Sequence, residues 1–298
     1  MTDEKRQSPM SFISARRESN RANAMVRKLM LVCSLVVSLL LPSRLLAEEL
    51  VRLVIEESAK ENTLYVQNDG PVDITVSFKF TLRNAELDQS RTTFVVHPKE
   101  TALAFRVMRK TRNAPWNYSY EWHYRLGNID ARHDDGFNYR LPFEEGRKVW
   151  VTQGFDGKFS HQGEWRYSID WRVPEGTAVH AARKGTVVAT QSRYSEGGPT
   201  TEFEEKANYV VVAHDDGTLG FYVHLKKDGV VVSVGERIRE GRLIGYSGNT
   251  GYSTVPHLHF SVYKPKDGWK TESIPIRFRT EEGSGITLEE GKEYTVSR

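Results

Sequence analysis

The sequence predicts an all-β fold with two successive β-rich regions, residues 48–145 and 146–280. Short runs rich in valine, isoleucine, threonine and aromatic residues recur through both regions. Turn signals such as Asn68-Asp-Gly-Pro and Asp215-Asp-Gly-Thr separate these runs. None of the runs has the 3.6-residue spacing of apolar positions that marks an amphipathic helix. At 298 residues the chain is long enough for about two domains.

Residues 1–47 look like a secretory signal peptide. Arg27-Lys28 precede a 13-residue apolar run, Leu29–Leu41, and Ala47 offers a cleavage site. The run is shorter than the roughly 20 residues that span a bilayer as a helix, so we expect cleavage and no lasting membrane anchor. Met25 is a second candidate start of translation. We therefore expect export across the inner membrane, to the periplasm or cell envelope.

Charge and cysteine content narrow the classes of partner. The formal net charge is +3, but residues 1–47 hold eight Lys/Arg and three Asp/Glu. Residues 48–298 hold the other 34 Lys/Arg and 36 Asp/Glu, a net charge of −2, which gives no basis for nucleic-acid binding. The single cysteine, Cys33, lies in the apolar run, so a cleaved chain has no disulfide and depends on its hydrophobic core.

Residues 48–145 are predicted to form an immunoglobulin-like β-sandwich. Five candidate strands begin at Leu50, Thr63, Ile74, Thr92 and Ala102. A row of alternating aromatic residues follows, at Trp116, Tyr118, Tyr120, Trp122 and Tyr124. Residues two apart share one face of a strand, so we expect this row to pack in the sandwich. A surface that stacks on carbohydrate or a partner protein is the alternative.

Residues 146–280 are predicted to form the second domain, and residues 281–298 a tail packed on it. Tyr209–His214 and Leu219–Leu225 flank the Asp215 turn as a β-hairpin. The polar segment Gln191–Ala207 contains Gly197-Gly198-Pro199 between two strands. We expect this segment to be a mobile loop that borders and gates a substrate groove.

The segment His257-Leu258-His259-Phe260 carries the strongest functional signal. Strand alternation places His257, His259 and Ser261 on one face and the apolar residues on the other. Two imidazoles on one face suit a metal site in which one binds the ion and the other handles protons. A pair of this kind also occurs as ordinary surface histidines, so its meaning depends on partners elsewhere in the chain.

Four segments in order resemble the lysostaphin-like (LytM, M23) zinc metallopeptidases, which cut peptide links in bacterial cell walls. They are His161 to Asp170, Pro174-Glu-Gly-Thr, Tyr222-Val-His224-Leu, and Gly245 to Phe260. The resemblance covers about residues 150–265 and implies a small antiparallel β-sheet domain with a groove and one zinc ion. It implies that His161, Asp170 and His259 bind zinc, and that His224 and His257 do the proton chemistry.

The first motif departs from the family pattern. The usual form is His-x-x-x-Asp, whereas eight residues separate His161 from Asp170 here. Asp156 or Glu164 is therefore an alternative to His161 as a ligand. For the third motif, strand alternation predicts that His224 shares a face with Tyr222, opposite Val223 and Leu225.

The sequence thus predicts a secreted zinc endopeptidase that hydrolyses peptidoglycan cross-links or stem peptides. One alternative is a catalytically silent module that binds the wall or activates a cell-wall amidase, and another is a structural protein with an incidental zinc site. Silent members of the family typically lose metal ligands, whereas all five positions here carry competent residues. A cysteine-free mature chain with an N-terminal sandwich fits a Gram-negative periplasm, which by analogy favours D-alanyl–diaminopimelate bonds over pentaglycine.

Overall fold

The computed structural model describes residues 50–58 and 60–297. The N-terminal strands are β1 (Val51–Glu57), β2 (Glu61–Asn68), β3 (Ile74–Arg83), β4 (Ala85–Leu87), β5 (Thr93–Val96), β6 (Glu100–Arg109) and β7 (Asn117–Leu126). The strands from residue 138 to 213 are β8 (Asn138–Arg140), β9 (Lys148–Gln153), β10 (Ser168–Arg172), β11 (Ala178–His180), β12 (Gly185–Gln191), β13 (Gly197–Gly198) and β14 (Tyr209–Ala213). The later strands are β15 (Leu219–Val223), β16 (Leu225–Val230), β17 (Arg237–Ile238), β18 (Leu243–Ser247), β19 (Gly251–Tyr252), β20 (His257–Pro265), β21 (Thr271–Ser273), β22 (Arg277–Thr280), β23 (Gly283–Ile286) and β24 (Glu293–Thr295).

Helical structure is limited, in the described residues, to two short 3-10 helices, η1 (Gly163–Trp165) and η2 (Thr201–Lys206). The predicted all-β fold is therefore confirmed. No helix within 50–58 and 60–297 is long and apolar enough to cross a membrane. The predicted signal peptide, residues 1–47, lies outside the described residues.

The first seven strands form the predicted sandwich of two antiparallel sheets, ordered β1-β2-β6-β4 and β5-β3-β7. Aromatic side chains fill the space between the sheets. The ring of Phe78 on β3 meets that of Phe105 on β6 edge-on, with centroids 5.2 Å apart. In the aromatic row of β7, Tyr120, Trp122 and Tyr124 are buried, which confirms the packing interpretation for these three.

The second region is built around one large antiparallel sheet, ordered β17-β12-β14-β15-β20-β10-β9-β24, with β21 paired to β20. One face buries Trp171, Tyr222 and Phe260 in a core of its own. On the other face, Phe221 and Tyr263 join the buried cluster of the sandwich. The sandwich therefore packs against part of the same sheet face on which the site lies.

The second unit includes chain from before residue 146. β8 pairs in parallel with β22, and Tyr139, Leu141 and Phe143 are buried in the second core, so this unit begins before residue 146. The reason is a strand pairing across more than a hundred residues, which no local pattern shows. In the C-terminal tail, β24 pairs with β9 and extends the large sheet.

The polar segment Gln191–Ala207 has more regular structure than an irregular loop. β13 in this segment pairs in parallel with β19, and η2 follows it. Backbone hydrogen bonds therefore tie the segment to the chain just before the His-x-His strand.

Candidate metal centre and active site

Asp170 and His259 face each other across two neighbouring strands. β10 pairs with β20 in antiparallel register, which sets Asp170 opposite His259 and Arg172 opposite His257. Directly opposed residues have their Cβ atoms about 5 Å apart, so their side chains meet. The Nδ1 atom of His259 lies 2.8 Å from Oδ1 of Asp170. The alternation predicted for His257 and His259 thus delivers both imidazoles to the face that holds the carboxylate.

His161 reaches the same carboxylate from the loop before β10. Its Nε2 atom lies 3.2 Å from Oδ1 of Asp170. Its Nδ1–H donates a hydrogen bond of 2.8 Å to the carbonyl oxygen of Gly154. Because a carbonyl only accepts, this bond fixes the proton on Nδ1 and leaves the lone pair on Nε2. In the neutral ring, this buried Nε2 has no hydrogen-bond donor beside it and offers its lone pair to a cation. Burial lowers the pKa of His161, but the charge of Asp170 outweighs burial and raises it.

The eight residues between His161 and Asp170 form one wall of the site. The excursion contains η1, and it lays Trp165 against Phe221, with ring centroids 5.8 Å apart. The Trp165 ring also meets His259 edge-on at 5.8 Å. The longer spacing therefore adds packing around the site and still returns His161 to Asp170.

The two alternative ligands are engaged elsewhere. Asp156 accepts a hydrogen bond of 2.5 Å from Nε of Arg166. Glu164 accepts hydrogen bonds from the backbone N–H and the hydroxyl of Thr271, at 2.8 and 2.7 Å. Neither carboxylate belongs to the group that His161, Asp170 and His259 form.

The three side chains fit a zinc ion. Their ligand atoms all lie within 4.8 Å of one another. Bonds of about 2.1 Å in a tetrahedral site space the ligand atoms about 3.4 Å apart. Two imidazole nitrogens and one carboxylate oxygen are common zinc donors, and three protein ligands leave a position for water, as catalytic zinc sites do.

The surroundings of Asp170 and His259 lower the pKa of both side chains, which favours the protonation states that bind a metal ion. Burial alone would raise the pKa of Asp170, but the charges of His161 and His259 outweigh it and hold that pKa well below its ordinary value. Burial lowers the pKa of His259, against the opposing pull of Asp170. An ionised carboxylate and a neutral imidazole are the protonation states that bind a cation.

His224 lies beside the site, but not through strand alternation. It stands between β15 and β16 with φ of +64°, a left-handed conformation that costs a non-glycine residue on the order of 1 kcal/mol. The expectation that it shares a face with Tyr222 is wrong. Tyr222 lies in the opposite core, 4.7 Å from the ring of Phe260, because the left-handed residue interrupts the alternation. The turn sends His224 to the face of His259, with ring centroids 6.0 Å apart.

His224 and His257 each present a lone pair to the site. Nδ1–H of His224 donates to the carbonyl of Thr250 at 2.7 Å, and Nδ1–H of His257 to that of Val255 at 2.8 Å. In the neutral form, each Nε2 is therefore a proton acceptor. The two rings are 4.5 Å apart, and Nε2 of His257 lies 4.0 Å from Oδ1 of Asp170. Burial first, and then the charge of His257, lowers the pKa of His224 well below 6.5.

Sequence reasoning missed one polar residue that orients the site. Gln153 donates from Nε2 to Oδ2 of Asp170 at 3.0 Å, while its Oε1 accepts the backbone N–H groups of Phe159 and Ser160. It thereby joins the loop that leads to His161 to the carboxylate on β10. A single glutamine at the end of a strand carries no spacing signal, so no motif could have found it.

The site opens into a groove of about 1030 Å³. Thr201, Glu204 and Ala207 of the Gln191–Ala207 segment line it, as expected for a segment that borders the groove. Phe159 and Tyr252 stack on one another at its rim, with centroids 6.2 Å apart. Within the described chain, the lining residues all come from 152–273, so the sandwich does not cover the groove.

Comparison with known families agrees with this geometry. Residues 164–272 match the family model described as peptidase family M23, which confirms the predicted resemblance for that segment. The segment includes Asp170, His224, His257 and His259, and begins just after His161.

Several named proteins are similar to the same part of the chain. Glycyl-glycine endopeptidase ALE-1 of Staphylococcus capitis is 34% identical over 120 residues, which are 40% of this chain and 30% of that protein. Peptidoglycan DD-endopeptidase ShyA of Vibrio cholerae is 37% identical over 116 residues, 38% of this chain and 24% of that protein. The chain thus spans under a third of the length of these relatives. Among solved structures, a mutant catalytic domain of the prophage-encoded M23 protein EnpA from Enterococcus faecalis aligns with a TM-score of 0.34 and 20% identity, over 45% of this chain and 94% of that chain.

Proposed function

We propose that this chain is a secreted, zinc-dependent endopeptidase that hydrolyses peptide bonds in peptidoglycan. The observation that carries the proposal is the convergence of His161, Asp170 and His259 beside two further histidines. The match of residues 164–272 to peptidase family M23 supports a peptidase, and the names of ShyA and ALE-1 support a cell-wall peptide as substrate. The predicted signal peptide supports action in the periplasm or cell envelope.

The ligand set would be the three atoms that meet at the Asp170 carboxylate, Nε2 of His161, Oδ1 of Asp170 and Nδ1 of His259. A zinc ion held there supplies an acidified water and polarises the carbonyl of the scissile bond. The protein orients the ligands through the Gly154 carbonyl behind His161 and the Gln153 amide behind Asp170. Partners of this kind fix the ring and carboxylate directions and support metal affinity.

The proton chemistry falls to His257 and His224. Nε2 of His257 accepts a proton from the attacking water as the new C–O bond forms at the scissile carbonyl. When the C–N bond breaks, the leaving amine nitrogen needs a proton, which an imidazolium of the pair donates. The proton that His257 took from the water is available for this donation. His224 is neutral at rest because burial lowers its pKa, and it can relay that proton from His257, whose ring centroid lies 4.5 Å away. While protonated it also stabilises negative charge on the carbonyl oxygen.

Digestion of purified cell wall tests the proposal. Mature protein loaded with zinc should release muropeptides with new amine and carboxyl termini inside the peptide part, as read by mass spectrometry. His259→Ala protein is the control and should release none. Wild-type protein that binds zinc but cuts no wall peptide would contradict the proposal. If such protein made an added amidase release stem peptides from glycan, the activating module would be the correct alternative.

A further inference from the structure

The turn between β20 and β21 forms one wall of the groove and carries two lysines. β20 and β21 pair up to Pro265 and Thr271, and Lys266 N–H then donates to the carbonyl of Lys270 at 3.0 Å. The two lysines therefore oppose each other at the end of the hairpin. Both side chains are exposed, and both residues line the groove that contains the metal centre.

The positive charge of these lysines has no partner within the described part of the chain. Neither ammonium group has a carboxylate oxygen within 4.0 Å, in contrast to the neighbouring Lys264, which pairs with Glu272 at 3.7 Å. The nearest acid in the turn, Asp267, accepts the backbone N–H groups of Trp269 and Lys270, at 2.6 and 2.8 Å. Two lysines without an ion-pair partner among the described residues thus face the groove, whose lining also includes Glu164, Glu204 and Glu272.

The sandwich holds this turn in place. Gly268 N–H donates to the hydroxyl of Ser77 at 2.8 Å, and Arg125 donates to the carbonyl of Trp269 at 2.5 Å. The ring of Trp269 lies 4.0 Å from that of His123. At Gly268 a Cβ atom would overlap the backbone of Ser77, so this close approach requires glycine. A fixed turn lowers the entropy lost when its side chains bind a ligand.

We propose that Lys266 and Lys270 form a carboxylate-binding subsite, which the sandwich positions through Trp269. This inference rests on the proposed peptidase function and specifies its substrate, a peptide with a free carboxylate near the scissile bond. Lysine ammonium groups bind carboxylates through charge-assisted hydrogen bonds. Such a subsite selects acidic wall peptides over peptides whose carboxyl groups are amidated.

Two synthetic stem peptides that differ only in one carboxylate or carboxamide test the subsite. The zinc-loaded full protein should cleave the carboxylate form with about tenfold higher kcat/KM, and added salt should reduce the preference. The double variant K266Q/K270Q should lose the preference through a higher KM and keep its zinc and its rate on the amidated peptide. Lys227→Gln is the control, because Lys227 is exposed on β16 and does not line the groove. Equal preference in the wild type and the double variant would overturn the subsite.

A second pair of variants tests the role of the sandwich. Trp269→Ala should raise the KM for the carboxylate peptide while zinc content and the rate on the amidated peptide hold. Trp150 is exposed on β9, so Trp150→Ala is the control and should leave the KM for the carboxylate peptide, the zinc content and the rate on the amidated peptide unchanged. An unchanged preference in Trp269→Ala would show that the sandwich does not position the lysines.

Failure of the proposed function has a separate signature. Absence of turnover with both peptides would count against the peptidase, and calorimetric binding to the His257→Ala protein would still decide the subsite. Tighter binding of the carboxylate peptide supports the subsite, and equal binding of the two peptides overturns it.

Discussion

The sandwich and the groove-bearing sheet place their histidines in opposite environments. His97 of the sandwich is exposed and lies 2.9 Å from Asp73, whose hydrogen bond and charge raise the pKa of the imidazole. His224 of the sheet is buried, and burial lowers its pKa well below 6.5. The same side chain is thus a surface ion-pair partner in one region and a neutral base in the other. Burial without a dominant carboxylate turns a histidine into a proton acceptor at neutral pH.

The two regions also differ in what they bury. The sandwich core consists largely of aromatic and aliphatic side chains such as Phe78 and Phe105. In the second region, the buried residues near the central strands β10, β15 and β20 include the polar side chains of His161, Asp170 and His224. Burying such polar groups raises the free energy of the folded state unless they are hydrogen-bonded or paired. A cluster of buried titratable side chains is therefore a candidate functional site.

The largest expected difference between the two regions is in zinc content and activity when a histidine or aspartate is replaced by alanine. We expect His259→Ala and Asp170→Ala to lower zinc from about one ion per chain towards zero and to abolish wall hydrolysis, since two protein ligands hold zinc poorly. The same should hold for His161→Ala. His97→Ala in the sandwich is the control and should retain both. Elemental analysis beside a wall digest checks this, and full zinc in any ligand variant would refute its assignment.

Loss of either proton-handling histidine should separate chemistry from metal binding. His224→Ala and His257→Ala should each keep zinc and lower kcat by about 10²-fold or more, the range for general acid–base and oxyanion groups. Zinc content measured beside turnover for each variant is the test. Loss of zinc in His257→Ala would make His257 a ligand and reverse the roles within the His-x-His pair.

Shortening the segment Gln191–Ala207 should have a smaller, substrate-dependent effect. The segment lines the groove and contributes no residue to the three-residue metal group among the described residues. We expect removal of η2 to change the ratio of rates on polymeric wall and small peptides several-fold while zinc stays bound. Unchanged rates on both substrates would show that the segment does not gate access.

A separate prediction concerns stability against acid and involves no change in activity. Burial lowers the pKa of His214 from 6.5 to about 3, so the neutral form stabilises the fold above pH 6.5. This stability is lost as the pH falls from 6.5 towards 3, with a slope of up to about 1.4 kcal/mol per pH unit for one proton. His214→Gln should flatten that slope in urea unfolding measured across this range. His97 has the opposite sign, because a raised pKa stabilises the fold at low pH and the gain is lost as the pH rises through it. If His214→Gln leaves the slope of the unfolding free energy against pH unchanged between pH 6.5 and 3, this explanation for His214 is wrong.

Local patterns in the sequence were enough to predict the strands and the face of the His-x-His pair. Period-two alternation is a property of any strand, so His257 and His259 were bound to share a side of β20. The same rule failed at His224, because this residue has a left-handed backbone conformation that ends the alternation. The residue types around His224 do not indicate that conformation. The early start of the second region and the contact between Trp269 and the sandwich also escaped, since both depend on pairings between distant segments.

The register of β10 against β20 has a consequence for the newly made chain. Asp170 and His259 are 89 residues apart in sequence, and a slip of one residue would turn one of them to the opposite face of the sheet. The ligands therefore come together only after the central strands have paired correctly. An unfolded chain therefore holds no assembled metal centre, and under the proposed function it is inactive until it folds. Binding of a zinc ion at the proposed centre would favour the folded state by mass action and so couple folding to the onset of activity.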